Sequence, residues 1–270
     1  MFQEKITSFF YLKIFAIVFL ILVVGSIIFK IGEEIVMSSF RNNSFSVLIV
    51  SKDSKFISVN KSDKSAVFLA LGDIRQFVKG KKPIEASFAL GLPIDSMLID
   101  SNPAVNLSSF ANSKNQLRLL GGGDKIVYKN LNRYDVIKIA GAINSSAKDN
   151  RIEVRVNLFN QNEMKEKVDD KLVDSQIANT PLTLEIDNGT NINGLGGLLA
   201  IILAKRGYNV ISVKTSTESD NSYIAYPEKP DNFVNSIQTL TRFPIIKMKK
   251  SQAADVTLFL GEDLDAMLSP

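Results

Sequence analysis

Hydrophobic positions along this chain follow three patterns in turn: an unbroken run, a period of two, and a period of about 3.6. From Phe9 to Phe29 about 21 residues are almost all apolar, with only Lys13 interrupting. A helix of that length crosses the hydrocarbon core of a bilayer, and Lys13 lies near the start, where its stem reaches the headgroups. Beyond it the period-two pattern begins. Phe45–Val50, Phe56–Val59 and Ser65–Leu71 read as strands, with Lys61-Ser62-Asp63-Lys64 as the turn of a hairpin. Pro83–Leu90 reads as a helix, and Met97–Ile99 as a short strand introduced by Leu92-Pro93-Ile94-Asp95. Leu107–Leu120 is partly helical in character, and Gly121-Gly122-Gly123-Asp124 is a loop. Val136, Ile139, Ala140 and Ile143 form the stripe of a helix with Asn132 near its cap, and Ile152–Leu158 alternates as a strand. Gln161–Asn179 is polar and poor in large apolar residues, which suits a linker.

The last third carries the clearest pattern. Leu182–Asp187 alternates as a half-buried strand, and Asn188-Gly189-Thr190 turns the chain. Leu195, Leu198, Leu199, Ile202 and Leu203 then fall on one helix face. Lys205 and Arg206 suit the negative end of that helix, and Gly207 suits its cap. Strands at Val210–Val213 and Tyr223–Tyr226 follow. Pro230 and Asp231 signal a helix with Phe233, Ile237 and Leu240 buried, and Ile245–Met248 and Val256–Leu260 close the module as strands. The expected architecture is α/β: a transmembrane helix, a reduced mixed-sheet α/β domain, and a small β-α-β-β-α-β-β domain. The boundaries expected are 1–39 for the cytoplasmic tip and anchor (span about 9–29), 40–160 for the first domain, 161–180 for a linker and 181–270 for the last domain.

Composition narrows the chemistry. The chain has neither cysteine nor histidine, so disulfides, the usual zinc and transition-metal ligand sets and a Ser-His-Asp triad are excluded, leaving only carboxylate sites for hard cations. The net charge of +4 is spread out, and the runs Lys79–Lys82 and Lys247–Lys250 read as solvated surface. No nucleic-acid motif appears, there is no tryptophan for base stacking, and Gly121–Lys125 lacks the spacing of a phosphate-binding loop. The apolar run leads into Gly25-Ser26-Ile27 and further apolar residues rather than a small-x-small cleavage site, so an uncleaved anchor is expected. Lys5, Lys13 and the amino terminus precede the run while Lys30 is followed by Glu33 and Glu34. Basic residues on the leading side place the N-terminus in the cytoplasm and the bulk of the chain outside.

The last third also resembles the LytR C-terminal domain of bacterial envelope proteins. The resemblance is carried by the Asn188-Gly189-Thr190 turn, the Gly194-Leu195 helix start, and Arg206-Gly207-Tyr208-Asn209-Val210. Ala254-Asp255-Val256-Thr257-Leu258-Phe259-Leu260-Gly261-Glu262-Asp263 completes it. Shorter echoes upstream resemble a LytR-CpsA-Psr catalytic core in reduced form: Ile57–Lys64, Gly91–Leu98 and Leu131–Lys138. That core implies transfer of glycopolymer from a polyprenyl pyrophosphate lipid to peptidoglycan, with clustered arginines and carboxylates holding magnesium. Here only Asp73 and Arg75 stand at the matching point, in altered order, and Arg118, Arg133, Arg151 and Arg155 are scattered. The residues therefore favour a non-catalytic envelope protein without a cofactor, with peptidoglycan or another wall polymer as partner. A divergent transferase using Asp73, Arg75 and magnesium is the alternative. On the last domain the candidate binding residues are Asn188, Gly189, Thr190, Asn191 and Asn193, whose amides and helix-start N–H groups suit polar ligands; the competing reading is a plain turn with Asn193 as helix cap.

Overall fold

The computed structural model describes residues 2–36, 38, 40, 42–100, 126–157, 160–216, 220–229, 231–248 and 253–268. Residues Leu107–Leu120, Arg118, the Gly121–Asp124 loop and the Lys249-Lys250 end of the second basic run lie outside them. Two compact units are present, residues 1–38 and 39–270. The first is one helix, α1 (Phe2–Val36), which at 35 residues is about 52 Å long. Its segment Lys13–Val36 is long and apolar enough to cross a membrane, and it continues past the expected end at Phe29.

In the second unit the hairpin lies where alternation predicts it. Strands β1 (Ser44–Val50), β2 (Ser54–Asn60) and β3 (Ser65–Gly72) pair antiparallel in sequence. A short helix α2 (Arg75–Val78) and α3 (Pro83–Leu90) follow, then β4 (Ser96–Asp100) parallel to β1. Strand β5 (Ile126–Lys129), which the sequence pattern does not announce, pairs antiparallel with β4. After helix α4 (Arg133–Ser145), β6 (Arg151–Arg155) adds parallel to β3. Among the described residues the sheet order is β5-β4-β1-β2-β3-β6. Asn132 caps α4 as expected, in a reciprocal box with Asp135 that satisfies two backbone donors.

Both faces of this sheet are covered, which is why β1 is buried at every position. One face packs Val47, Ile49, Ile57 and Phe68 against Val136, Ile139 and Ile143 of α4. Phe40 joins that layer, wholly buried against Phe45, and its backbone is held by Asp135 Oδ1 and Lys138 Nζ at 3.1 and 3.0 Å. Lys61 Nζ sits 3.9 Å from its ring centroid. Burial lowers the Lys61 pKa, with the like charge of Lys138 adding to it.

The opposite face packs Leu48, Phe56, Val67 and Leu69 against α2, α3 and the segment read as a linker. That segment is folded. It forms α5 (Gln161–Lys167), a 3-10 turn and α6 (Ser175–Ala178), and of its sparse apolar residues Met164, Val168, Leu172 and Ile177 are buried, Val173 half-buried and Ala178 exposed. Low apolar content suggested solvation; four well-placed side chains are enough to dock it.

The C-terminal module follows the predicted order. It comprises β7 (Thr183–Asn188), α7 (Leu195–Ala204), β8 (Asn209–Thr215), β9 (Tyr223–Tyr226), α8 (Asn232–Thr241), β10 (Ile245–Lys247) and β11 (Val256–Leu260), with a short α9 (Asp263–Leu268) added. Among the described residues its sheet order is β10-β9-β11-β7-β8, with β7 and β8 parallel across the α7 crossover. The crossover is tight: a Cβ on Gly196 would lie 2.9 Å from Val213 Cγ1 and 3.3 Å from Asn188 Cβ. Leu195, Leu199, Ile202 and Leu203 of α7 join Phe233, Ile237 and Leu240 of α8 over Leu184, Ile186, Val256 and Leu258.

Helix α3 belongs to both cores. Ala86 and Leu90 face the first sheet, whereas Ile84 and Phe88 enter the C-terminal core. Residues spaced by four share a helix face, so the two pairs define two opposed apolar faces of one buried helix.

Candidate functional site

Asp73 and Arg75 form an exposed pair at the turn after β3. Asp73 Oδ1 accepts from Arg75 N and Nε at 3.2 and 2.9 Å, and Oδ2 accepts from Nη2 at 2.6 Å. These bonds hold the Asp73 carboxyl down to about 2. Arg75 and Asp73 side chains remain 57% and 44% exposed. Two of the scattered arginines serve elsewhere: Arg151 holds the carbonyls of Asn144 and Ser146, and Arg155 is exposed on the edge strand β6. Among the described residues no group of three or more His, Cys, Asp or Glu is arranged to hold a metal ion.

In the turn after β7 the side chains are largely spent on the turn itself. Asn188 Oδ1 accepts from Thr190 N and Oγ1 at 3.3 and 2.7 Å, and its Nδ2 donates to Ile192 O at 3.2 Å. Thr190 Oγ1 accepts from Ile192 N at 3.2 Å, and Gly189 N donates to Leu260 O at 2.9 Å. Asn188, Gly189 and Thr190 are buried, while Asn191 and Asn193 are exposed. The helix cap is Gly194, left-handed at φ 80°, and not Asn193.

Arg206 departs furthest from its sequence reading. Beyond suiting the end of α7, it is 1% exposed and paired to Asp95, which is fully buried. Its Nη2 also reaches Ser46 Oγ and Pro93 O at 3.2 and 3.4 Å. Asp95 Oδ2 accepts in turn from Ser46 N at 2.7 Å, so β1, the entry to β4 and the end of α7 meet at one ion pair. Burial opposes the Arg206 charge, and the Asp95 carboxylate outweighs it, so the guanidinium pKa is raised. The signal was present in the spacing: Arg206 continues the Leu199, Ile202 stripe at the next helical step, on the buried face.

Beside this pair lies a polar cavity of about 210 Å³, which the sequence did not reveal. Asn42 and Asn43 before β1, residues 174–180 around α6, and the start of α8 enclose it. Asp174 and Asp231 cap α6 and α8 through bonds to Gln176 N and Val234 N, both 3.0 Å long. Phe233 walls it and packs edge-on against Tyr208, whose hydroxyl donates to Phe233 O at 3.2 Å. Burial pushes the Tyr208 phenol up.

With this geometry in place, residues 182–264 match the family described as LytR cell envelope-related transcriptional attenuator. The C-terminal third is a LytR C-terminal domain. A comparison with curated proteins finds no match. Among solved structures the chain is similar to the Lin1025 protein of Listeria innocua, at 12% identity over 43% of this chain and 83% of that one, with TM-score 0.30. It is similar to Lmo1026 of Listeria monocytogenes at 13% identity, covering 43% and 81%, with TM-score 0.31. TagT bound to LIIa-WTA aligns at 10% identity over 72% and 84%, with TM-score 0.18. At these scores the three structures bear on neither fold nor function; the LytR C-terminal assignment rests on the family match.

Proposed function

We propose that this is a single-pass envelope protein whose N-terminus is cytoplasmic and whose bulk lies outside the membrane. Its LytR C-terminal domain binds cell-wall glycan or another envelope component, without catalysis. The observation that carries this reading is an envelope-family domain, residues 182–264, on a chain that begins with a membrane-length apolar helix. The detergent-solubilised full chain should be retained on purified peptidoglycan and released by soluble wall fragments. Absence of retention would overturn the reading.

The transferase alternative draws on Asp73 and Arg75. Pyrophosphate chemistry needs cations and a metal at the leaving phosphate. Asp73 does not fit a magnesium ion, because Arg75 engages both of its oxygens and no further carboxylates gather there among the described residues. Magnesium-dependent binding of a polyprenyl pyrophosphate analogue, lost in Arg75→Ala, would nevertheless establish the transferase reading.

A further inference from the structure

The cavity at the start of α8 has a floor with unspent hydrogen-bonding capacity. Asp174 is only 2% exposed, and its Oδ1 accepts from Gln176 N at 3.0 Å. A buried polar atom is costly to leave without a partner, and in this cavity that atom is the Ser236 hydroxyl oxygen. It lies close to the Tyr208 phenol but completes no hydrogen bond of standard geometry. Gln176, Asp231 and Asn232 form an exposed rim, so the floor is reachable.

Charge and size select the ligand. The described lining contains two carboxylates and no lysine or arginine, and the nearby Arg206 is committed to Asp95. Phosphates and carboxylates are therefore disfavoured, whereas hydroxyl and ammonium donors suit the carboxylates of Asp174 and Asp231. The volume falls below the roughly 300–1,000 Å³ of drug-sized clefts, which leaves room for one small ring. Phe233 and Ile177 supply an apolar wall beside these polar groups. We infer that this cavity is a binding site for a single sugar ring, neutral or amine-bearing, held by hydrogen bonds to Asp174 and Ser236 and by the amides of the rim. The assignment rests on the cavity itself and names a binding site for the glycan-binding reading above.

The full chain in detergent micelles tests it by ligand-observed NMR and calorimetry. The probes are glucosamine, N-acetylglucosamine and glucose, with inorganic phosphate as the anionic control. Saturable binding of at least one sugar and none of phosphate is expected. Asp174→Asn retains a good helix cap and should weaken binding about tenfold or more without moving the melting temperature. Ser236→Ala should weaken it less, and provides the readout should Asp174→Asn fail to fold. Binding by phosphate, no binding by any sugar, or equal affinity in wild type and the folded variants would overturn the site. Retention on peptidoglycan that persists unchanged in both variants would sink the cavity and leave the envelope reading standing. Sugar binding without peptidoglycan retention would do the reverse.

Discussion

At the scale of single residues, Asp73 and Arg75 show how little an exposed ion pair says about function. Their bonds are short, yet both side chains are about half exposed, where such pairs contribute little to stability. The measurable consequence is a titration. The Asp73 carboxyl is held at about 2 by hydrogen bonds from Arg75, below its ordinary 3.8. A depressed carboxyl favours the folded state above the unfolded value, and that contribution disappears as pH falls through about 2. Carboxyl-resolved NMR should therefore place the Asp73 midpoint near 2 in the wild type and near 3.8 in Arg75→Ala. A midpoint that stays low in Arg75→Ala would show that some other group holds the charge. Arg206 makes the opposite case: read only as a cation suited to a helix end, it is a core residue.

At the scale of elements, the Arg206–Asp95 pair fixes where α7 meets the first sheet. Truncating one member of a buried pair leaves an uncompensated charge, at a cost of about 3–5 kcal/mol. Arg206→Met should lower stability by that order, and Arg206→Met with Asp95→Asn should recover part of it. If the double substitution is no more stable than Arg206→Met alone, the pair is not the source of the loss. Gly207 just beyond offers a second check, since its φ is 95° and a Cβ would meet Ala178 Cβ at 3.0 Å and Val173 Cγ1 at 3.1 Å. Gly207→Ala should destabilise by roughly 1–3 kcal/mol in thermal melts. Much of this layout was legible in the sequence, because period-two and period-3.6 stripes with Asn132 and Asp231 as caps report local burial directly. Four short strand residues at β5, and the docking of α5 and α6 by isolated apolar side chains, carry no such periodic signal. The cavity was illegible for a different reason. Its walls come from residues near 42, 174 and 232, and only tertiary packing brings them together.

At the scale of the whole molecule, topology decides which partners the protein can meet. The α1 helix is about 52 Å long, more than a bilayer core of roughly 30 Å requires, so in the proposed membrane-spanning arrangement part of it would lie beyond the hydrocarbon or the helix would tilt. In the proposed topology the N-terminus is inside, as Lys5 and Lys13 at the start of the helix, against Lys30 followed by Glu33 and Glu34 towards its end, would favour. That topology would give the LytR C-terminal domain access to the wall polymer and keep it from cytoplasmic partners. A protease added to intact cells stripped of their wall should digest the C-terminal domain, and a cytoplasmic marker should survive. Carbonate washing should leave the chain in the membrane fraction, because a spanning helix is held by its buried apolar length and not by charge. Protection of the C-terminal domain in intact cells, with digestion only after lysis, would invert the orientation and remove the wall as a partner. Release by carbonate would remove the anchor itself.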